Sequence, residues 1–385
     1  MVPGFDDVDV DRLRRRRTVK WTLHGPDVLA AWVAEMDFDV APAVRAALLE
    51  AVDREDFGYV VADLSDLTGA CADFFAAAYG WSVAPPRIFP VADVLTGIAA
   101  ALDVFSEPGR PVVVPTPAYP PFFEVVEGTG RPVVALPLVV DGGRDVLDLD
   151  AIDRALRNGA TAVLLCNPHN PTGRAFTTAE LAALAALVDR HGARVVADEV
   201  HAPLVYAGRH VPYATVSEAA AQHSVTVTSA SKAFNLAGLK CAQVVTTNHH
   251  DARRWRGLGV FAVAGPTPLG IAASTAAYRD GGEWLRDLVA YLDGNRRWLL
   301  DRIAADLPGV TCRPPEATFL AWLDCRALGL DDPARHFLDR ARVALSDGPP
   351  FGHGCETYAR LNFATSRAIL DRILTAMAEA LESPD

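Results

Sequence analysis

Short runs of aliphatic and β-branched residues alternate through the middle of the chain with longer stretches whose apolar positions recur every three or four residues. The runs at 111–114, 133–140, 161–166, 194–197 and 224–228 are four to eight residues long, the pattern of buried strands. Between them, 151–158 and 178–190 read as helices, the second opened by Thr177 and Glu180 in capping-box spacing. Strands and helices alternating in this way predict an α/β architecture with a mostly parallel central sheet flanked by helices.

The flanking regions read differently. Residues 1–40 are irregular and charged, and the basic run Arg14-Arg15-Arg16-Arg17 reads as a solvated helix face. Trp32-Val33-Ala34-Glu35-Met36-Asp37-Phe38 follows neither the strand nor the helix period. The stretch 42–53 reads as an amphipathic helix with proline in its first turn, broken by Phe57-Gly58-Tyr59. The stretch 91–105 reads as an Ala/Leu/Val helix. Its start leaves N–H groups free at Asp93 and Val94 to hold a phosphate, provided the Asp93 carboxylate points away. Past residue 285 the expected order is helix 283–306, strand 318–322, helix 333–342, strand 343–345, a Gly/Pro loop, strand 358–363 and a closing helix. A chain of 385 residues exceeds what one core supports. The expected division is an N-terminal segment, 1–50, joining a small α+β domain at 286–385, with a large domain at 51–285 between them.

Composition narrows the class. Half the residues are hydrophobic, 22% are charged and the formal net charge is −12, the balance of a soluble enzyme and a poor one for nucleic acid or an anionic membrane. The six cysteines form no C-x-x-C pair, which fits reduced thiols. An acidic N-terminus without an apolar core and the lack of a long apolar span lead to a cytoplasmic expectation.

The candidate chemistry lies where strands end. In parallel sheets ligands sit beyond the carboxyl ends of the strands. Tyr119, Asn170, Asp198 and Lys232 each follow such an end. Lys232 stands just past 224–228 among Ala, Ser and Phe, where desolvation lowers an amine's pKa and makes it a better nucleophile or base. That suits a lysine forming a Schiff base with pyridoxal phosphate, PLP. Competing motifs lack their context. Gly257-Leu258-Gly259-Val260-Phe261-Ala262 has the spacing of a dinucleotide loop but follows a charged, helix-like stretch. Ser229-Ala230-Ser231-Lys232 matches S-x-x-K without its partner K-T-G. The pair His249-His250 has no ligand cluster around it.

Taken in order, Asn170-Pro171-Thr172-Gly173, Asp198-Glu199-Val200-His201, Ser231-Lys232-Ala233-Phe234-Asn235 and Arg360-Leu361-Asn362 resemble the fold-type I PLP-dependent enzymes of the aminotransferase class I/II superfamily. Within it they look like the MalY/PatB branch, the cystathionine β-lyase-like C–S lyases. The resemblance runs from near residue 20 to near 365. It implies that Lys232 binds the cofactor covalently and then serves as the base on Cα. It implies that Asp198 pairs with the pyridine nitrogen, Asn170 and His201 hydrogen-bond the ring oxygen, and Tyr119 stacks on the ring. Ser229, Lys240 and the N–H groups near Asp93 and Val94 would meet the phosphate, joined by Tyr59 of a neighbouring subunit in a homodimer. Arg360 would fork the substrate carboxylate, a bidentate task. Three positions depart from the branch pattern: a bulkier 351–358 loop, Glu35 in place of aspartate, and Lys240 in place of arginine. The implied reaction is β-elimination on L-cystathionine or another S-substituted L-cysteine. The alternatives are an aminotransferase, a specialised PLP reaction on a cysteine conjugate, and a non-catalytic regulator.

Overall fold

In the computed structural model, which describes residues 4–61, 63–258 and 263–382, the apolar runs meet as neighbours in one sheet. Its strands are β1 (Ile88–Val91), β2 (Val112–Thr116), β3 (Val133–Pro137), β4 (Ala162–Cys166), β5 (Arg194–Asp198), β6 (Ser224–Thr228) and β7 (Ala242–Thr246). Their spatial order is β1-β7-β6-β5-β4-β2-β3. β7 runs antiparallel to β1 and β6, and every other pair is parallel.

Alternation along the strands separates two apolar layers. Val112, Val114, Leu164, Val196 and Val227 face α1 (Val94–Phe105), whereas Val113, Val163, Leu165 and Val195 pack with Leu181 and Leu184 of α2 (Thr178–Arg190). Both faces are therefore dry, which is why these strands read as continuous apolar runs. Each buried Val or Leu contributes about 1.5–3 kcal/mol. Gly97 lets α1 lie close on the sheet, since a Cβ there would stand 2.8 Å from Val227 Cγ1 and 3.1 Å from Val244 Cγ2.

A second sheet contains β8 (Thr311–Cys312), β9 (Leu320–Asp324), β10 (Ser346–Asp347) and β11 (Tyr358–Asn362) in the order β8-β9-β11-β10, antiparallel throughout. Around it lie α3 (Gly282–Asp306), α4 (Pro333–Ala341) and α5 (Arg367–Glu382).

The structure corrects several expectations. The expected helix at 91–105 begins only at Val94, because Val91 closes β1 and Asp93 caps the helix. The expected strand at 133–140 ends at Pro137; the chain then leaves the sheet in a hairpin, Val139–Asp141 against Arg144–Val146, turned by Gly142 and Gly143 at positive φ. The expected strand at 343–345 does not join the second sheet but pairs in parallel with Leu29–Ala30. β1, β7 and the helices Ser65–Tyr79 and Pro268–Asp280 were not anticipated. Among the described residues no His/Cys/Asp/Glu cluster could hold a metal, and no helix is long and apolar enough to cross a membrane. All six cysteines are unpaired. Gly259-Val260-Phe261-Ala262 of the dinucleotide-like pattern lies outside the described residues.

The irregular stretch at 32–38 is neither helix nor strand, as its pattern predicts, and side chains hold it on all sides. Lys20 Nζ pairs with Asp37 Oδ1 at 2.9 Å and donates to the Glu35 carbonyl at 2.9 Å. Trp21 Nε1 donates to Asp37 at 2.7 Å. Asn235 bonds Met36 through both backbone groups at 2.9 Å, and Asn362 Nδ2 donates to the Val33 and Glu35 carbonyls at 2.7 Å. Lys20 and Asp37 are both about 1% exposed. Lys20→Met therefore leaves a buried carboxylate without its cation, at a cost of about 3–5 kcal/mol. Urea unfolding should show this loss, and the double variant Lys20→Met/Asp37→Asn, which removes the stranded charge but keeps an acceptor for Trp21 Nε1, should recover much of it.

Candidate functional site

Strand ends build the site. β4, β5 and β6 run in parallel register, with Cys166 beside Asp198 and Asp198 beside Val227, so the loops after them emerge on one rim. There a cavity of about 190 Å³ is lined by Asp93, Val94, Tyr119, Asn170, Asp198, His201, Ser229, Lys232 and Lys240. Every residue expected from the sequence reaches it except Arg360, which abuts it, and Tyr59. Tyr59 is 105% exposed on the chain's own surface and lines no part of this cavity. A larger groove of about 1020 Å³, between Ser65–Tyr79 and the start of α3, has Phe74, Tyr206 and Tyr278 among its walls. None of the strand-end groups named above lines it, so the smaller cavity is where the chemistry converges.

Lys232 sits in a compact turn after β6, where Phe234 N bonds the Ala230 carbonyl and Leu236 N that of Ser231, each at 2.9 Å. Its Nζ donates to the Ala34 carbonyl at 2.8 Å. Burial, joined by repulsion from Arg360, pulls the amine down to about 8, against the attraction of Asp198 and Glu35. Burial likewise pushes Asp198 up to about 7, while the Val200 N–H at 3.0 Å and Lys232 resist. His201 is held neutral by burial and by the nearby Lys232 and Arg360 cations. Its Nδ1 is buried and has no hydrogen-bond partner among the described residues.

The far end of the cavity is the N-terminus of α1. The Asp93 carboxylate does not point away, as the sequence reading required. Its Oδ1 accepts from Thr96 N at 2.8 Å, the N-cap bond, and its Oδ2 pairs with Lys240 Nζ at 2.8 Å. An aspartate is at home in that position because the cap satisfies a free donor. Burial opposes its ionisation, but Lys240 and Thr96 outweigh that and hold its carboxyl below the usual range. With Asp93 as the cap, the unpaired amides of the first turn are those of Val94 and Leu95. Ser229 Oγ donates to the Cys241 carbonyl at 2.6 Å and accepts from Ser231 N at 3.0 Å. It is committed to holding the Lys232 turn, so the S-x-x-K resemblance to a serine nucleophile fails.

Arg360 approaches from β11. It is 5% exposed; its Nη1 donates to Asn170 Oδ1 at 2.9 Å, and its Nη2 donates to Ser346 Oγ at 3.0 Å and the Trp32 carbonyl at 3.1 Å. Its Nε is buried and unpartnered among the described residues. Burial lowers it to about 10, so it stays a cation at neutral pH. The bulky 351–358 loop folds back on β9, where Trp322 stacks on Tyr358 at 5.2 Å, and it sets the Phe351 ring 5.0 Å from the guanidinium. Ser346 was missed as a site residue, and Phe351 was anticipated only as part of the 351–358 loop. β10, which carries Ser346, is two residues long and too short to leave a periodic signal.

The cavity fits PLP. It offers a carboxylate for a ring nitrogen, an orphaned histidine nitrogen for a ring oxygen, an aromatic wall, a perturbed lysine, and a helix start with a nearby cation for a phosphate.

The comparisons agree with this geometry. Residues 32–377 match the family model of aminotransferase class I and II. A cystathionine beta-lyase of Corynebacterium glutamicum is 40% identical, over 97% of this chain and 99% of its own. Cystathionine beta-lyase PatB of Bacillus subtilis is 34% identical, over 95% and 97%. The crystal structure of a Corynebacterium diphtheriae protein assigned as a PLP-dependent beta-cystathionase superposes with a TM-score of 0.94 at 42% identity, over 98% and 99% of the two chains. The fold is that of the fold-type I PLP enzymes, and the chain belongs to the aminotransferase class I and II family.

Proposed function

We propose that the protein is a PLP-dependent carbon–sulfur lyase that cleaves the Cβ–S bond of L-cystathionine or a related S-substituted L-cysteine. The carrying observation is the cavity itself, in which a lysine lowered to about 8 faces a buried aspartate and adjoins a buried arginine. The Corynebacterium and Bacillus relatives, named for this activity, support the reading.

PLP, when bound, supplies the electron sink that stabilises negative charge at Cα. The chain supplies the rest. Arg360 forks the substrate α-carboxylate, and Asn170, bonded to Nη1, fixes its plane. Asp198 keeps the ring nitrogen protonated, and the resulting ion pair restores the carboxylate's charged form against burial. His201 and Asn170 serve the ring oxygen, and Tyr119 covers the ring face. Lys240 and the Val94 and Leu95 amides would hold the phosphate, while Ser229, its O–H given to the Cys241 carbonyl, keeps the Lys232 turn in place beside it. Lys232 Nζ removes the Cα proton; the electron pair moves to form Cα=Cβ, and the Cβ–S pair leaves with the thiolate. The enamine released then hydrolyses to pyruvate and ammonia.

We also infer a cytoplasmic homodimer. Phe57, Tyr59 and Val61 are 63%, 105% and 67% exposed on one loop, an apolar surface suited to a second copy, where Tyr59 would reach the neighbour's phosphate site.

Two outcomes test the reading. The PLP-loaded protein given L-cystathionine without any keto acid should release pyruvate and homocysteine over many turnovers, and Lys232→Ala should abolish this. Turnover that stalls until a keto acid is added would instead identify an aminotransferase. Cofactor capture should also depend on pH. Only neutral Lys232 can attack the aldehyde, and below about 8 that fraction shrinks as the pH falls. The rate at which apoenzyme regains lysine-bound PLP absorbance should fall about tenfold per pH unit below that value and level off above it.

A further inference from the structure

The carbonyls from Ala31 to Glu35 are each met by a donor from a distant part of the chain. Asn362 N donates to the Ala31 oxygen at 2.8 Å, Arg360 Nη2 to that of Trp32 at 3.1 Å, and Asn362 Nδ2 to those of Val33 and Glu35 at 2.7 Å each. The Ala34 carbonyl goes instead to the reactive amine, accepting from Lys232 Nζ at 2.8 Å on the wall of the cofactor cavity. Glu35 N donates back to the Val33 carbonyl at 2.8 Å, so the chain makes a three-residue turn with Ala34 at its apex. The Asn362 amide spans the base of that turn, bonding the residue on either side of the apex.

We propose that Asn362 is a positioning residue, which clamps the Val33–Glu35 turn so that the Ala34 carbonyl holds the free Lys232 amine and stabilises the ammonium formed when it takes the Cα proton. The inference rests on the reading above in giving Lys232 the part of base. Asn362 is 1% exposed and lines no part of the cavity, so it reaches the chemistry only through this turn. Its amide has one workable orientation. Both Nδ2 hydrogens go to carbonyls and Oδ1 accepts from Ala364 N at 2.8 Å, whereas the flipped amide would set oxygen against oxygen. It stands two residues from Arg360 on β11 and shares its face, so one strand fixes both the substrate carboxylate and the acceptor for the base. A lysine on a flexible stem wanders once it is released, and a fixed acceptor confines it to one place. Proton transfer then makes a cation beside Arg360 in a nearly dry space, and a carbonyl aimed at that nitrogen lowers the cost. Of the other groups around the amine, Arg360 disfavours its charge, Asp198 and Glu35 favour it, and His201 is neutral. Glu35 travels with the turn, so loosening the turn removes two supports of the ammonium that act in the same direction.

The test reads the amine itself in the cofactor-free protein. Acetic anhydride labelling across a range of pH, quantified at Lys232 by mass spectrometry, should give a midpoint near 8 in the native chain. Asn362→Ser keeps an oxygen for Ala364 N but is too short to span the turn, and its midpoint should fall by about one pH unit. Leu361→Ala, the preceding residue of β11 and buried in the core, should lose stability yet leave the midpoint in place. With L-cystathionine and the PLP-loaded protein, Asn362→Ser should lower kcat about tenfold and change KM by less than about twofold, since Arg360 still takes the carboxylate. A midpoint that stays put in Asn362→Ser, or moves as far in Leu361→Ala, overturns the positioning role. The carbonyl carbon resonance of Ala34 in the native cofactor-free chain gives a reading that needs no variant. It should titrate with the Lys232 midpoint, and a resonance flat through that range overturns the proposal even where Asn362→Ser does not fold. A lowered midpoint in a protein whose native form releases no pyruvate overturns the lyase reading and leaves the role of Asn362 standing.

Discussion

The governing constraint is the crowding of charge in a space nearly free of water. Lys232, Asp198 and Arg360 border one region, and burial moves each toward its neutral form, to about 8, about 7 and about 10. Isolated ions would be costly there; together the two cations and one carboxylate partly compensate. The remaining imbalance is chemically useful, because it leaves an amine that is neutral in appreciable fraction near physiological pH. The parallel sheet is the means of gathering these groups, since its register brings loops that are distant in sequence to a common edge.

Backbone carbonyls from a single irregular stretch provide much of the remaining support. Residues 32–37 offer oxygens to Lys20, Lys232, Arg360 and Asn362 and exchange bonds with Asn235. Such a stretch cannot be a strand or helix, because its carbonyls serve side-chain donors from several directions. Its buried Lys20–Asp37 pair does for the backbone what a ladder would otherwise do: it fixes the path.

Much of this was legible in the sequence and some was not, for physical reasons. β2, β4, β5 and β6 were visible because strands buried on both faces carry continuous apolar runs. The capping box at Thr177 and Glu180 appears as written. β7 escaped because Gln243 interrupts its run; that amide is buried and accepts from Tyr278 Oη at 2.7 Å, a partner no local pattern reveals. Asp93 was misjudged because its charge was weighed against a phosphate without weighing its fitness as a helix cap. The strand-end groups were found through their order along the chain, whereas Ser346, Phe351 and the Ala34 carbonyl depend on contacts made across the two sheets.

Gly97 gives the site an asymmetry that bears on how such a protein changes over generations. With no room for a Cβ above Val227 and Val244, the helix that begins at Val94 is clamped to the large sheet, and the phosphate end of the cavity has little freedom. Arg360, Ser346 and Phe351 border the cavity from the other sheet through side chains and short loops, Arg360 through its bond to Asn170. One jaw of the vise is therefore immovable and the other adjustable. A lineage can retune which molecules it grips by editing the adjustable jaw alone, leaving the anchorage of the reactive group untouched.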